Sequence, residues 1–161
     1  MIKSFTLIEI LITTSIILIF GGLSLAYYHN FNQEKILQYE AQKLINSIEI
    51  AKKKANSGEV KNCSSFCGYQ LSLNNTNYSI DICCACDTNS NCINPTPIIR
   101  NYFPPGIISL NNFRTMFRPL LPLVTPIVFQ LKNNNISQCE EISINQAGVI
   151  ESQKVNCSVQ N

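Results

Sequence analysis

The chain has 161 residues, enough for one modest domain with additions. Its formal net charge is +2, from 12 basic and 10 acidic residues, so the composition gives no reason to expect a strongly charged partner. A single histidine, His29, and the lack of any sequence cluster of His, Asp and Glu exclude the usual kinds of catalytic centre. We therefore predict a protein that is not an enzyme and that needs no cofactor.

The first predicted element is a membrane helix over residues 5–28. This run is long enough to cross a bilayer core of about 30 Å, and Glu9 is its only charged residue. Tyr27 and Tyr28 form an aromatic pair of the kind that lies at a membrane interface. Because Lys3 is the only charge before the run, we expect the first residues in the cytoplasm and the rest of the chain outside it.

A secretory signal peptide is the alternative, since Ser24-Leu25-Ala26 has the small-x-small form of a cleavage site, with the cut after Ala26. Glu9 argues against it, because a charge at the centre of a membrane helix costs about 2.5–3.5 kcal/mol. The apolar pattern also continues at helical spacing, and Asn56-Ser57-Gly58 then predicts the helix end. The continuing positions are Leu37, Ala41, Leu44, Ile48, Ala51 and Ala55. We predict one helix with an amphipathic half over 29–57.

Residues 58–161 are predicted to form a cysteine-rich β head. Alternating patterns predict a hairpin from 69–73 and 78–82, further strands at 107–110 and 127–131, and a last hairpin around Gln146-Ala147-Gly148. The expected fold class is α+β, with the long N-terminal helix packed on one small antiparallel sheet.

The N-terminus, with the short basic leader Met1 to Ser4, then Phe5-Thr6-Leu7-Ile8-Glu9, then an apolar helix, resembles that of the type IV pilin and pseudopilin family. The resemblance implies that a prepilin peptidase cuts between Ser4 and Phe5 and methylates the new amine of Phe5. It also implies that Glu9 neutralises the amine of a neighbouring subunit during filament assembly. Ser4 stands where the family prefers Gly.

The order of strand patterns in the head is most similar to the GspH/FimT group of minor pseudopilins. The resemblance implies a structural subunit of a type IV pilus, a type II secretion system or a DNA-uptake filament. Its implied partners are prepilin peptidase, other pilin or pseudopilin subunits, an inner-membrane assembly platform and the lipid bilayer. The expected location is the inner membrane with the head outside the cytoplasm, and then the filament. The alternative is an exported disulfide-rich binding module released after Ala26.

All eight cysteines lie in the head, which indicates a disulfide framework formed in an oxidising compartment. Cys139 and Cys157 flank the last hairpin, so they are the pair that we expect most firmly. A zinc site from the first two cysteines and the central group is the alternative, and an oxidising compartment argues against it. The remaining candidates are Cys63, Cys67, Cys83, Cys84, Cys86 and Cys92.

The segment Pro95–Pro126 holds all seven prolines and is predicted to be a loop that wraps the sheet. Its arginines Arg100, Arg114 and Arg118 are expected to face solvent. A contact with another subunit or with a ligand is the alternative for this segment. Three arginines are too few to indicate a nucleic-acid site, although a nucleic-acid partner stays open.

Overall fold

The computed structural model describes residues 6–58, 63, 65–87, 91–121 and 126–157, with the side chains of 23–26 outside the description. One helix, α1, is followed by eight strands in these residues. The elements are α1 (Leu7–Ser57), β1 (Gly68–Leu73), β2 (Asn77–Cys83), β3 (Pro95–Tyr102), β4 (Ile107–Ser109), β5 (Phe113–Phe117), β6 (Ile127–Asn133), β7 (Gln138–Ile144) and β8 (Ile150–Asn156).

Helix α1 is continuous over 51 residues, which corresponds to about 77 Å at 1.5 Å per residue. It ends where the sequence predicts, because Gly58 adopts the left-handed conformation, with φ 61°, that a residue with a Cβ rarely adopts. The Gly58 N–H donates to the carbonyl of Ala55 at 3.3 Å. The predicted single helix with its end at Gly58 is confirmed.

The strands form two four-stranded antiparallel sheets, rather than the one sheet that the sequence predicts. The first sheet has the order β3-β2-β1-β5 and the second has the order β4-β6-β7-β8. Both predicted hairpins are confirmed, since β1 pairs with β2 and β7 pairs with β8. The chain crosses between the sheets at β3–β4, at β4–β5 and again at β5–β6.

The strand predicted at 107–110 is confirmed as β4, but the prediction that the rest of Pro95–Pro126 is a loop is wrong, because this segment also contains β3 and β5. Proline is tolerated in β3 because β3 is an edge strand, and one side of an edge strand has no neighbour to pair with. A proline there, which lacks an N–H, removes no hydrogen bond between strands. Arg100 and Arg114 are exposed as predicted, whereas Arg118 is half-buried.

The hydrophobic core lies between the C-terminal half of α1 and both sheets. From the helix it takes the predicted apolar positions together with Ile45. Tyr78 brings a polar group into this core, and its hydroxyl bonds with Ser47 Oγ at 3.3 Å and accepts from Asn101 Nδ2 at 3.0 Å. The strands supply Tyr69, Leu71, Leu73, Tyr78, Ile80, Ile82, Phe117, Phe129, Leu131, Ile142 and Ile144, among others. The β head and the amphipathic half of the helix therefore share one core.

We predict that a fragment of residues 29–161 folds and that a fragment of residues 58–161 does not. The shorter fragment lacks Leu37, Leu44 and Ile48, which are at most 2% exposed, so it leaves the inner faces of both sheets open to water. Thermal unfolding followed by near-ultraviolet circular dichroism tests this. A cooperative transition in the shorter fragment would contradict the shared core.

Two buried carboxyl groups in the head have raised pKa values. Burial raises the pKa of Asp81 above its ordinary 3.8, against the hydrogen bond from Ser79 and the charges of Arg100 and Arg114. Burial also raises the pKa of Glu140 above its ordinary 4.5, against a hydrogen bond with Ser152 and the charge of Lys154. The folded head therefore binds protons more readily at these groups than the unfolded chain does.

We expect the protein to become more stable as the pH falls from neutral through the raised pKa values of Asp81 and Glu140, down to their ordinary values. The folded state binds more protons in this window, so the free energy of unfolding rises as the pH falls. Asp81→Asn and Glu140→Gln should each flatten this dependence in melting curves of the full chain in detergent micelles. Glu141→Gln is the control of opposite sign, because two amide donors lower the pKa of Glu141, so its carboxylate loses stabilising energy as the pH falls and its removal should steepen the dependence instead of flattening it. An unchanged slope in both test variants would contradict the assignment.

Candidate functional site in the N-terminal helix

The first turn of α1 is closed by a reciprocal capping box between Thr6 and Glu9. Thr6 is extended, with φ −78° and ψ 149°, and its Oγ1 accepts from the Glu9 N–H at 3.3 Å. In return, the Thr6 N–H donates to Glu9 Oε2 at 3.0 Å, and Thr6 Oγ1 donates to the same oxygen at 2.8 Å. Glu9 therefore satisfies a backbone donor at the helix start.

The capping box changes the interpretation of Glu9 that follows from composition alone. A carboxylate at the start of an apolar helix has a role within a single chain, so its presence alone does not distinguish an assembling subunit from a simple membrane anchor. The sequence signal was present, because Thr6-Leu7-Ile8-Glu9 has the capping-box spacing just before an apolar run. Both hydrogen bonds to the carboxylate use Oε2, and none of the described residues donates to Oε1.

The N-terminal half of α1 exposes its large apolar side chains. Leu7, Leu18 and Phe20 are 82%, 75% and 66% exposed, and none of the apolar side chains described from Leu7 to Gly22 is buried. By length and composition, α1 can cross a membrane, and none of its most apolar stretch is buried in the structure. A hydrocarbon solvent removes the cost of exposing these side chains to water.

Three hydroxyl groups in this half bond to carbonyls of their own helix. Thr13 Oγ1 donates to the Ile10 carbonyl at 3.0 Å, and Ser15 Oγ donates to the Leu11 carbonyl at 2.8 Å. Thr14 Oγ1 donates to the Ile10 carbonyl at 2.9 Å. Such bonds satisfy hydroxyl groups where water is absent. The exposed half is therefore compatible with a lipid environment.

Hydrogen bonds join the head to the helix at Gln33. Asn133, which is fully buried, donates from Nδ2 to the backbone carbonyl of Gln33 at 2.9 Å, and Asn135 Nδ2 donates to Gln33 Oε1 at 3.0 Å. One residue further on, Glu34 pairs with Lys154 of β8 at 2.8 Å. At the other end of the head, the Lys52 ammonium donates to the carbonyl of Gly148. The helix is thus held by polar contacts at both ends of the shared core.

The eight cysteines lie in four pairs at disulfide distance, and no free cysteine remains. Cys139 and Cys157, with Cα atoms 5.1 Å apart, form the pair that the last hairpin predicts. The other pairs are Cys63–Cys84, Cys67–Cys86 and Cys83–Cys92, with Cα atoms 5.0, 6.2 and 5.5 Å apart. These three pairs tie the segment before β1 and the segment before β3 to the end of β2.

The predicted site residues do not converge on one place. Glu9 lies in the first turn of α1 and the cysteines lie beyond its other end, while Ser4 and Phe5 lie outside the described residues. No group of three or more His, Cys, Asp or Glu side chains in the described ranges has the arrangement of a metal site. The candidate functional site is therefore the exposed helix with its Thr6–Glu9 cap, carried by a disulfide-paired head.

Comparisons with protein-family models, curated proteins and solved structures give no match. The fold and the site themselves define the class of protein. It is an α+β protein with one candidate membrane-spanning helix, whose second half is built into a small antiparallel β head with four cysteine pairs.

We predict that the unreduced protein shows no reactive thiol on denaturation and that reduction lowers its melting temperature. A disulfide that closes a loop of the size of Cys139–Cys157 stabilises by about 3 kcal/mol in the chain-entropy model. Cys139→Ser should free the thiol of Cys157 and speed hydrogen exchange in β7 and β8, and β1 and β2 should keep their protection. Chelators should have no effect. Bound zinc, with cysteines that react only after chelation, would replace the disulfide interpretation with a metal site.

Proposed function

We propose that this chain is a pilin-like structural subunit, of the minor pilin or pseudopilin kind, that a prepilin peptidase processes between Ser4 and Phe5. The filament would be that of a type IV pilus, a type II secretion system or a DNA-uptake machine. Before assembly, the subunit would reside in the inner membrane with its head outside the cytoplasm. It would then enter the filament through an inner-membrane assembly platform.

One observation supports the proposal most: α1 does not stop at the membrane boundary. The same helix exposes an apolar half from Leu7 onward and then supplies the core of the head through Leu37, Leu44 and Ile48. A signal peptide that is removed after export does not have to be continuous with a helix of the mature protein. A cut after Ala26 would leave the helix of the head with a new start near its exposed tyrosines.

The chemistry of Glu9 fits a role in assembly. In the single chain the capping box gives the carboxylate two donors, both on Oε2. Cleavage before Phe5 would create a cationic amine one residue from the cap, and Oε1 would be available to accept from the amine of a neighbouring subunit. In a low-dielectric environment such an ion pair is strengthened, and a missing partner would leave an unpaired charge.

The proposed subunit thus has two states that differ in the partners of one carboxylate. In the membrane, Thr6 would donate hydrogen bonds to one carboxylate oxygen of Glu9. In the filament, the amine of a neighbouring subunit would neutralise the carboxylate. Register between subunits follows from this difference, because only one stagger of neighbouring helices brings amine and carboxylate together. The disulfide-paired head would remain outside the cytoplasm, where an oxidising compartment keeps its cysteines paired.

We expect Glu9→Gln to insert into the membrane normally and to fail in filament incorporation. Glutamine keeps the capping-box acceptor and loses the charge, so it separates the two roles of Glu9. An unpaired buried charge costs about 3–5 kcal/mol, so incorporation should fall by more than about tenfold. Thr6→Val is the matched control, because it removes the hydroxyl cap and leaves the carboxylate in place. Incorporation is measured by immunoblotting of sheared filaments against the membrane fraction.

The two alternatives give different results in the same assay. If Glu9 acts only as a helix cap, Glu9→Gln should assemble normally and Glu9→Ala should not. If the chain is an exported module cut after Ala26, all three variants should release the same soluble head. The first result would contradict the assembly role of Glu9, and the second would contradict the proposed function itself.

A further inference from the structure

The end of the head nearest the apolar half of α1 includes three turns that are joined by hydrogen bonds, beside the end of β8. The turns are residues 74–77, residues 103–106 and residues 133–137. The Asn134 N–H donates to the Gly106 carbonyl at 2.8 Å, and the Phe103 N–H donates to the Thr76 carbonyl at 2.9 Å. We call these three turns together the proximal face.

The proximal face is fixed to the helix at one level. Asn133 and Asn135, both in the third turn, bond to Gln33 at 2.9 and 3.0 Å. Gln33 lies five residues after Tyr28, the last residue of the predicted membrane half, which is about 8 Å along the helix axis. A headgroup layer is about 5–8 Å thick on each side of the hydrocarbon core. The proximal face therefore lies at the outer boundary of the headgroup layer when the apolar half fills the core.

The chemistry of the proximal face suits that position. None of its residues is charged, and six of them are asparagines, of which Asn133 is buried and the other five are at least partly exposed. The amides of exposed asparagines can both donate and accept hydrogen bonds. Uncharged polar groups can enter a headgroup layer without the desolvation cost of a charge. Two lysines near this level, Lys35 and Lys132, have no carboxylate partner among the described residues, and their charges favour anionic lipids.

From these observations we propose that the proximal face docks on the lipid headgroups of the membrane that holds the helix. The partner is a lipid surface, recognised by asparagine amides and by lysines beside them. This docking fixes the tilt of the head on the membrane before assembly. The proposal depends on the membrane topology of the proposed function and not on filament formation.

Single tryptophans test this directly, because the natural chain contains none. The full chain is reconstituted in vesicles of phosphatidylethanolamine and phosphatidylglycerol with a small fraction of headgroup-spin-labelled lipid. Ile136→Trp reports on the proximal face, and Asn134→Trp is a second reporter there in case the first variant folds poorly. Tyr27→Trp reports on membrane insertion. Leu121→Trp, next to Asn56 at the opposite end of the head, is the control at about 35 Å from Gln33.

We expect the lipid quencher to reduce the fluorescence of both proximal reporters several-fold more than that of Leu121→Trp. Equal, weak quenching of the proximal and distal reporters, with strong quenching of Tyr27→Trp, would overturn docking while the membrane topology stands. Weak quenching of Tyr27→Trp would overturn the membrane topology itself. A proximal reporter that is shielded from the quencher, with a blue shift that grows with protein density, would assign the face to a second copy of the chain instead.

Discussion

The structure depends on one constraint: a single continuous helix has an exposed apolar half that suits lipid and a second half that packs inside the β head. From Leu7 to Gly22, and again at Tyr27 and Tyr28, its side chains are exposed, and from Leu37 to Ala55 its apolar side chains form the centre of the β head. The change occurs within about two turns, where Gln33 and Glu34 begin the polar contacts with β6 and β8. Because the helix does not break there, a force on the apolar half is transmitted to the core of the head.

This constraint explains how the head is built. Two four-stranded sheets pack on one helix, so neither sheet has a core without it. The buried alanines Ala41, Ala51 and Ala55 let the strands approach the helix closely. Beyond the helix end, three cysteine pairs hold the segments around β1 and β2, and the fourth closes the last hairpin. The pairs strengthen a core that is small for the number of strands it supports.

Local patterns in the sequence predicted the parts of the fold that depend on neighbouring residues. The helix end at Gly58 and the two hairpins follow from a left-handed cap and from alternation, which are local properties. The division into two sheets was missed, and so were β3 and β5, the edge strands of the first sheet, because prolines and short strands look like a loop until pairing places them at a sheet edge. Cys83 and Cys84 show a further limit. Neighbouring residues on an extended chain point in opposite directions, so their partners, Cys92 and Cys63, depend on the path of the whole chain.

The sequence predicted where the candidate site lies but only part of what its residues do. Glu9 was identified as the unusual charge, but its bonds to Thr6 show that it also caps the helix. A carboxylate that caps the helix in the single chain and has one oxygen unused by the described residues could exchange partners in the proposed filament without a large rearrangement. The same charge can thus be tolerated during insertion and used afterwards.

The central claim is that Phe5 and the whole of helix α1 stay in the mature protein. The mass and N-terminal sequence of the protein isolated from its native membrane test this most directly. The account predicts a chain that begins at Phe5 with a methylated amine and still contains Glu9. A mature chain that begins at Tyr27 would contradict it, because the apolar half of the helix would then be a discarded signal peptide.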